Sequence, residues 1–280
     1  MKGVVTGDVL AVLPTLETES VQAVITSPPY WAQRDYGMEG QIGLEATPDE
    51  YVDTLVAVFR EVRRVLRDDG TVWLNLGDSY SSTKNLVGIP WRVAFALQAD
   101  GWYLRLDIIW HKPNPMPERD AVKRPTKSHE YLFLLTKSES YYYDSEAVRE
   151  DGPTYTRKAS GYKDFDKTHL SHTGGKNQKG GFADKDVTTV GRNLRSVWTI
   201  TTHSHPDAHF ATFPMKLVEP CVKAGSKRGD TVLDPFAGSG TTGIVAKRLG
   251  RDFIGIELNP EYAALGQQGV EGELFLRADA

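Results

Sequence analysis

The order of apolar and polar residues along the chain predicts strands alternating with helices. Lys2–Val5 reads as a short strand that ends at the loop residues Gly7 and Asp8. A second apolar run, Val21–Ile25, stops at Thr26-Ser27-Pro28-Pro29-Tyr30-Trp31, because two consecutive prolines cannot continue a buried strand, which puts the motif at a strand tip. Pro48–Arg67 is the clearest helix. Thr47 serves as its N-cap, Pro48 takes the first position, Glu50 completes a capping box, and Tyr51, Leu55, Val58, Val62, Val65 and Leu66 recur mostly at intervals of three and four before Gly70 ends it. Thr71–Leu76 is then a strand, Pro90–Ala99 a helix stopped by Gly101, and Tyr103–Trp110 a strand that runs into the Lys112-Pro113-Asn114-Pro115 loop. Tyr131–Leu135 is a further strand, and its short polar connection to Tyr141-Tyr142-Tyr143 predicts an antiparallel hairpin at a sheet edge.

From about Arg149 to Val197 the periodicity disappears, and Gly, Lys, Thr, Ser and His dominate. Residues 152–197 hold nine Lys/Arg against four Asp/Glu, and by composition alone this is a solvated, flexible insertion. Regular structure resumes with a helix over Phe213–Ala224 despite Pro220, and a strand over Thr231–Leu233. The run Asp234-Pro235-Phe236-Ala237-Gly238-Ser239-Gly240-Thr241-Thr242-Gly243 opens a helix reaching about Leu249. Phe253–Ile256 is a strand ending at Glu257, and Asn259-Pro260 starts the last helix. This alternation predicts an α/β fold, a mostly parallel sheet with helices on both faces, built from residues 1–148 and 198–280 and interrupted by an insert over 149–197.

Composition narrows the classes. The chain of 280 residues, 40% hydrophobic and 25% charged, is ordinary globular protein, which excludes disordered, collagen-like and coiled-coil classes. No run approaches the ~18 apolar residues of a membrane span, and the N-terminus lacks the pattern of a signal peptide, so the expectation is a soluble cytoplasmic protein with no membrane partner. The one cysteine, Cys221, excludes a disulfide framework and a cysteine-based zinc site; lying in the Phe213–Ala224 helix, it reads as a buried core thiol. His203, His205 and His209 have metal-like spacing without an accompanying acid pattern, and no metal is expected. With a net charge of −4, any surface that meets nucleic acid must be positive locally.

Two strand tips carry the candidate chemistry. In the glycine-rich run, glycines let backbone approach a ligand while the helix N–H groups face it. The run lacks the Lys-Ser/Thr ending of a phosphate-cradling loop. Glu257, at the next strand tip, is placed like an acid that receives ribose hydroxyls, so a nucleoside cofactor fits both features; the plainer reading is a tight turn plus a surface acid. At the other tip the prolines fix the backbone, leaving the Ser27 hydroxyl and Pro28 carbonyl as acceptors beside the Tyr30 ring. That arrangement suits a planar base with an exocyclic amino group, although a proline-rich turn would look the same.

Taken together, SPPYW and DPFAGSGTT resemble the catalytic and cofactor motifs of the amino-group DNA methyltransferases that use S-adenosylmethionine (SAM), and the resemblance extends over nearly the whole chain except 149–197. With the catalytic motif first, the order resembles the beta class, a circular permutation of the Rossmann-like SAM-dependent methyltransferase fold. The resemblance implies that Asp8 contacts the SAM adenine, Glu257 its ribose, and the Phe236–Thr242 loop, with Gly238, Ser239, Gly240 and Thr241, its methionine part, and that Asp234 belongs to the same cofactor site. Ser27, Pro28, Pro29 and Tyr30 would hold a base flipped from double-stranded DNA. Transfer would be a direct displacement with no covalent enzyme intermediate, and Arg34 and Asp35 would shape a loop over the base or form a surface ion pair. The basic insert takes the place of a target-recognition segment. Its Arg157, Lys158, Lys163, Lys176, Lys179, Arg192 and Arg195 become candidate phosphate contacts, with Lys112, Lys123 and Arg124 extending the track. A serine before Pro-Pro-Tyr leans toward cytosine N4, with adenine N6 as the alternative. The resemblance also implies a restriction-modification setting with a cognate restriction enzyme. A non-catalytic SAM-sensing DNA-binding protein, or methylation of RNA or of a protein glutamine, are the remoter readings.

Overall fold

A computed structural model of the chain describes residues 2–115, 123–152, 155–157, 187–189, 191–202 and 213–278. Backbone contacts divide it into one unit of Met1–Val148 with Arg195–Ala280 and a second of Arg149–Leu194. In chain order the elements are β1 (Gly3–Thr6), α1 (Val9–Val12), β2 (Val21–Thr26), α2 (Pro48–Val65), β3 (Leu66–Leu76), α3 (Ile89–Ala99), β4 (Tyr103–His111), β5 (His129–Thr136), β6 (Tyr155–Arg157), β7 (Val187–Thr189), β8 (Val197–Thr199), α4 (Met215–Gly225), β9 (Thr231–Asp234), α5 (Thr241–Arg248), β10 (Asp252–Glu257) and α6 (Pro260–Ala278). β6 and β7 pair antiparallel within the second unit, where Glu150 and Arg192 also form a bridge; all other elements belong to the first.

The first unit is organised by one sheet in the order β1-β10-β9-β2-β3-β5-β4-β8. Every pairing is parallel except those of β5, which runs antiparallel between β3 and β4. Counted from β9 onward and around through β1, the order reverses between β9 and β2. Open α/β sheets bind ligands at such a reversal, outside the carboxyl ends of the strands. Side chains alternate between the faces of β2. Val24 joins the cluster formed by Tyr51, Leu55, Phe59 and Val62 of α2 and Val93 and Leu97 of α3, whereas Ala23 meets Gly225 of α4. Helices thus cover both faces, as the strand–helix alternation predicts.

Three local expectations change. The antiparallel partners of β5 are β3 and β4, the latter with His111 opposite His129, and not Tyr141-Tyr142-Tyr143. These tyrosines leave the sheet instead: Tyr142 N donates to Asp69 O at 2.8 Å, and Tyr143 stacks on Trp73 at 6.4 Å. The strand after α2 begins at Leu66, ahead of Gly70, because Leu66 pairs with Val21 of β2. A short edge strand, β8, lies on β4 where the pattern gave no periodic signal.

Cys221 on α4 is fully buried, and its thiol points to Leu217 O at 3.2 Å. Burial pushes its pKa well up, which suppresses the reactive thiolate. A thiol reagent should therefore leave the native chain unmodified and label its single cysteine after denaturation; fast labelling of the native chain would contradict this packing.

Candidate active site

The parallel strands bring Asp8, Ser27, Asp234 and Glu257 to one end of the sheet, at the tips of β1, β2, β9 and β10. The glycine-rich loop folds between β9 and α5 under two backbone requirements. Gly240, the residue before α5, has φ +82°, and a Cβ there would lie 2.8 Å from the backbone of Gly266 on α6. Gly238 has φ +51°, yet a Cβ on it would meet nothing within 4 Å, so the loop is open on that side to an approaching ligand. Gly238 N donates to Glu257 Oε2 at 2.8 Å, and Asn259 N to Glu257 Oε1 at 2.9 Å. Phe236, Gly238, Ser239, Thr241 and Glu257 all keep partial exposure. An open glycine turn, an aromatic ring and a carboxylate capable of receiving ribose hydroxyls fit the nucleoside and amino-acid parts of SAM. Burial pushes the Glu257 pKa up, and three backbone N–H groups, led by that of Asn259, oppose the shift.

Asp234 and Thr242 do something other than face a ligand. Asp234 is 1% exposed and Thr242 fully buried. Asp234 Oδ1 accepts from Thr26 Oγ1 at 2.6 Å and from Phe236 N at 3.1 Å, while Oδ2 accepts from Thr242 Oγ1 at 2.7 Å. One carboxylate thereby ties the last residue of β2, the glycine-rich loop and the first turn of α5 together. The side chains of these two residues thus face inward and position the loop. Asp8 likewise has a structural task, since its Oδ1 caps α1 by accepting from Leu10 N at 2.9 Å and Ala11 N at 3.1 Å.

On the other side of the reversal, Tyr30 is held by four residues. Its Oη donates toward Glu130 Oε2 at 2.9 Å and Asn75 Oδ1 at 3.1 Å, and it accepts from Ser27 Oγ at 3.3 Å. Its ring lies so close to Gly77 that a Cβ there would fall 2.4 Å from it. Burial, and then the neighbouring Glu130 carboxylate, push the Tyr30 phenol well above its ordinary pKa. Pro29 O accepts from Tyr51 Oη of α2 at 2.8 Å, which anchors the proline turn to the core. Because β5 is antiparallel, its first residues reach this end of the sheet. Glu130 therefore sits beside Asn75 of β3, whose Nδ2 donates to Glu130 Oε2 at 3.2 Å and to Tyr131 O at 3.0 Å. Lys112, just past β4, pairs with Glu130 Oε1 and lies 4.2 Å over the Trp110 ring.

The loop after the motif is fastened at several points. Ser79 Oγ donates to Trp31 O at 2.6 Å, Trp31 Nε1 to Glu45 O at 3.0 Å and Gln33 Nε2 to Asp78 O at 3.0 Å. Tyr36 meets Tyr262 of α6 edge-on at 6.5 Å, which carries the loop to the cofactor side of the cleft. Asp35 Oδ1 accepts from Gly37 N at 2.8 Å.

The sequence reading missed Asn75 and Glu130 and assigned Lys112 to a phosphate track. Asn75 had a usable signal, a lone amide inside the apolar run Thr71–Leu76, because a buried amide needs partners. Lys112 belongs to the Tyr30 network, with its ammonium engaged by Glu130. Arg124 lies over the Tyr80 ring at 4.1 Å and donates to Tyr80 Oη at 3.1 Å, and Lys123 is exposed. Arg192 Nε pairs with Glu150 at 2.7 Å within the second unit, and Arg195 O accepts from Trp198 Nε1 at 2.6 Å in the first. Arg157 belongs to β6. Lys158, Lys163, Lys176, Lys179, His203, His205 and His209 lie outside the described residues. Among the described residues no group of His, Cys, Asp and Glu could hold a metal ion, and no helix is long and apolar enough to cross a membrane.

Residues 21–268 match the sequence model of a family described as DNA methylase. Type II methyltransferase M.Cfr9I of Citrobacter freundii is 47% identical over 95% of this chain and 87% of its own length. M.SmaI of Serratia marcescens is 44% identical over 95% and 90%. Among solved structures, TTHA0409 of Thermus thermophilus, described as a putative DNA modification methylase and complexed with S-adenosyl-L-methionine, aligns with a TM-score of 0.66 at 28% identity, covering 98% of this chain and 94% of that one. PvuII DNA methyltransferase, described as cytosine-N4-specific, shares the fold with a TM-score of 0.71 at 23% identity over 99% and 92%.

Burial raises the Asp234 pKa from 3.8 to about 6. Between those values the unfolded carboxyl is ionised while the native one still holds its proton, so this group favours the native state at low pH and loses that contribution as pH rises to about 6. The loss amounts to about 3 kcal/mol at about 1.4 kcal/mol per pKa unit. Asp234→Asn should remove it: denaturant titrations should show wild-type stability declining relative to the variant from about pH 4 to about pH 6. Parallel curves would contradict the clamp as described.

Proposed function

Because the chain belongs to the DNA methylase family of SAM-dependent Type II enzymes that methylate base amino groups at N4 or N6, we propose that it methylates cytosine N4 in double-stranded DNA, with Ser27, Pro28 and Tyr30 holding the flipped base. The observation that carries this reading is the placement of Ser27-Pro28-Pro29-Tyr30 directly after β2, a strand that pairs with β9 and so lies beside the strand that leads into the glycine-rich loop. Serine at the first motif position favours cytosine over adenine N6, the alternative.

A base amino group is a weak nucleophile because its lone pair is delocalised into the ring. Bound SAM supplies an electrophilic methyl group. This chain's residues supply geometry: Ser27 Oγ and Pro28 O accept the two amino hydrogens, favouring a pyramidal nitrogen whose lone pair points across the cleft. Extrusion of the base costs a few kcal/mol, and stacking on Tyr30, worth about 1–3 kcal/mol, offsets part of that. Contact with Gly77 and the bonds on the phenol hold the ring ready, so little order is lost on binding. Phe236, Gly238, Ser239, Thr241 and Glu257 would line the cofactor site, with Asp8 at its rim. The segment 149–197 would be the target-recognition part, a role supported by its basic composition and its position between the two motifs. Lys123 and Arg124 are candidate phosphate contacts in the motif-bearing unit.

Incubation with methyl-labelled SAM and duplex DNA, followed by mass spectrometry of the nucleosides, should give N4-methylcytosine. N6-methyladenine would overturn the choice of base, and unlabelled DNA across a range of salt would overturn the activity. Tyr30→Ala should lower turnover at least about tenfold through lost stacking while leaving SAM affinity little changed; equal losses in both would assign Tyr30 a purely structural role.

A further inference from the structure

The hydrogen bonds around Tyr30 have a forced direction. Lys112 is donor-only and faces Glu130 Oε1, so the carboxylate is held as an acceptor. Its Oε2 accepts from Tyr30 Oη and Asn75 Nδ2. The other Asn75 Nδ2 hydrogen goes to Tyr131 O, which leaves Asn75 Oδ1 as a second acceptor facing the phenol. Tyr30 has one proton and two acceptors competing for it. Ser27 must therefore donate to Tyr30 Oη, and having one proton itself, it faces the cleft purely as an acceptor.

We propose that Glu130 is a positioning residue that fixes Ser27 as an acceptor for the target amino group and receives, through Tyr30 and Ser27, the proton that this group releases. The inference rests on the reading above in which Ser27 faces the base. Once the amino nitrogen has bonded to the transferred methyl group it carries a positive charge and must shed a proton. Its N–H bond breaks, the electron pair stays on nitrogen, and the proton goes to Ser27 Oγ. The original Ser27 proton passes to Tyr30 Oη at 3.3 Å, and the Tyr30 proton to Glu130 Oε2 at 2.9 Å. Serine and tyrosine end neutral, and the charge lost at nitrogen appears as a protonated Glu130 beside the Lys112 ammonium. Both of these side chains keep some exposure, 17% and 19%, through which the proton returns to water. The same polarity favours an amino group over a carbonyl at the corresponding base position, since a carbonyl would bring one acceptor against another.

Glu130→Gln tests the direction. Lys112 would attract the amide oxygen, so the amide nitrogen would turn toward Tyr30 and Asn75, where it can only donate; Tyr30 would then accept from it and turn its own proton elsewhere. Single-turnover methyl transfer should fall about 100-fold, the range of a lost preorganised hydrogen-bond partner, because Ser27 would no longer be held as an acceptor for the amino group, with SAM affinity by equilibrium binding unchanged. Glu130→Asp, which keeps an acceptor, should recover part of the rate. Tyr30→Phe should show a similar loss, and E130Q combined with Y30F should be no slower than Y30F alone, because both variants break one chain. Wild-type rates in E130Q, or additive losses in the double variant, would overturn the proposal. If E130Q does not fold, Y30F decides the matter: a large loss supports the relay, and a wild-type rate overturns it. Absence of methylated base with the wild-type enzyme would instead defeat the functional reading on which the relay rests.

Discussion

A single buried carboxylate holds the two halves of the site together. β9 and β2 are neighbours in the sheet but far apart in sequence, and their tips lead away in different directions, one into a glycine turn and the other into a proline turn. Asp234 bonds to Thr26 on one strand, to Thr242 at the start of α5 and to the amide of Phe236 in the loop between. Burying the group is costly, as the raised pKa shows. Three short hydrogen bonds offset that cost and define one geometry where a softer contact would allow several. Everything the site does with two ligands at once depends on this spacing.

Around that clamp each motif is held in place by residues from other segments. The glycine loop is closed against Gly266 of α6 and fastened to Glu257, so its exposed residues sit on a fixed frame. The proline turn is anchored through Tyr51, and Tyr30 through Gly77, Asn75 and Glu130. Such backing fits a reaction in which positioning supplies much of the acceleration, since a misplaced acceptor lowers the rate even when binding is intact.

Much of this was legible in the sequence. Strand–helix alternation predicted the parallel core, and the two motifs marked the strand tips, because proline pairs and glycine runs impose backbone conformations that few contexts tolerate; the permuted order came from the resemblance of the motifs to a known family. What escaped depended on contacts between distant segments. Glu130 is the second residue of its strand, and only the antiparallel course of β5 brings the start of that strand to the ligand end. Lys112 looked like one more surface cation until Glu130 and Trp110 were found beside it. Asp234 and Thr242 carry the cofactor motif yet face inward, a distinction that burial makes and spelling does not. The tyrosines at 141–143 have the composition of a strand but pack on Trp73 and Asp69 instead.

The central claim is geometric: one cleft, at the reversal between β9 and β2, brings the base amino group onto Ser27 opposite the bound methyl donor. A crystal structure of the chain with a non-reactive SAM analogue and a duplex carrying its target would test it most directly. The account requires the target amino nitrogen within about 3 Å of Ser27 Oγ, the analogue's ribose at Glu257, and the Tyr30 hydroxyl still on Glu130. A base amino group held by other residues, or an analogue seated away from the glycine-rich loop, would contradict it.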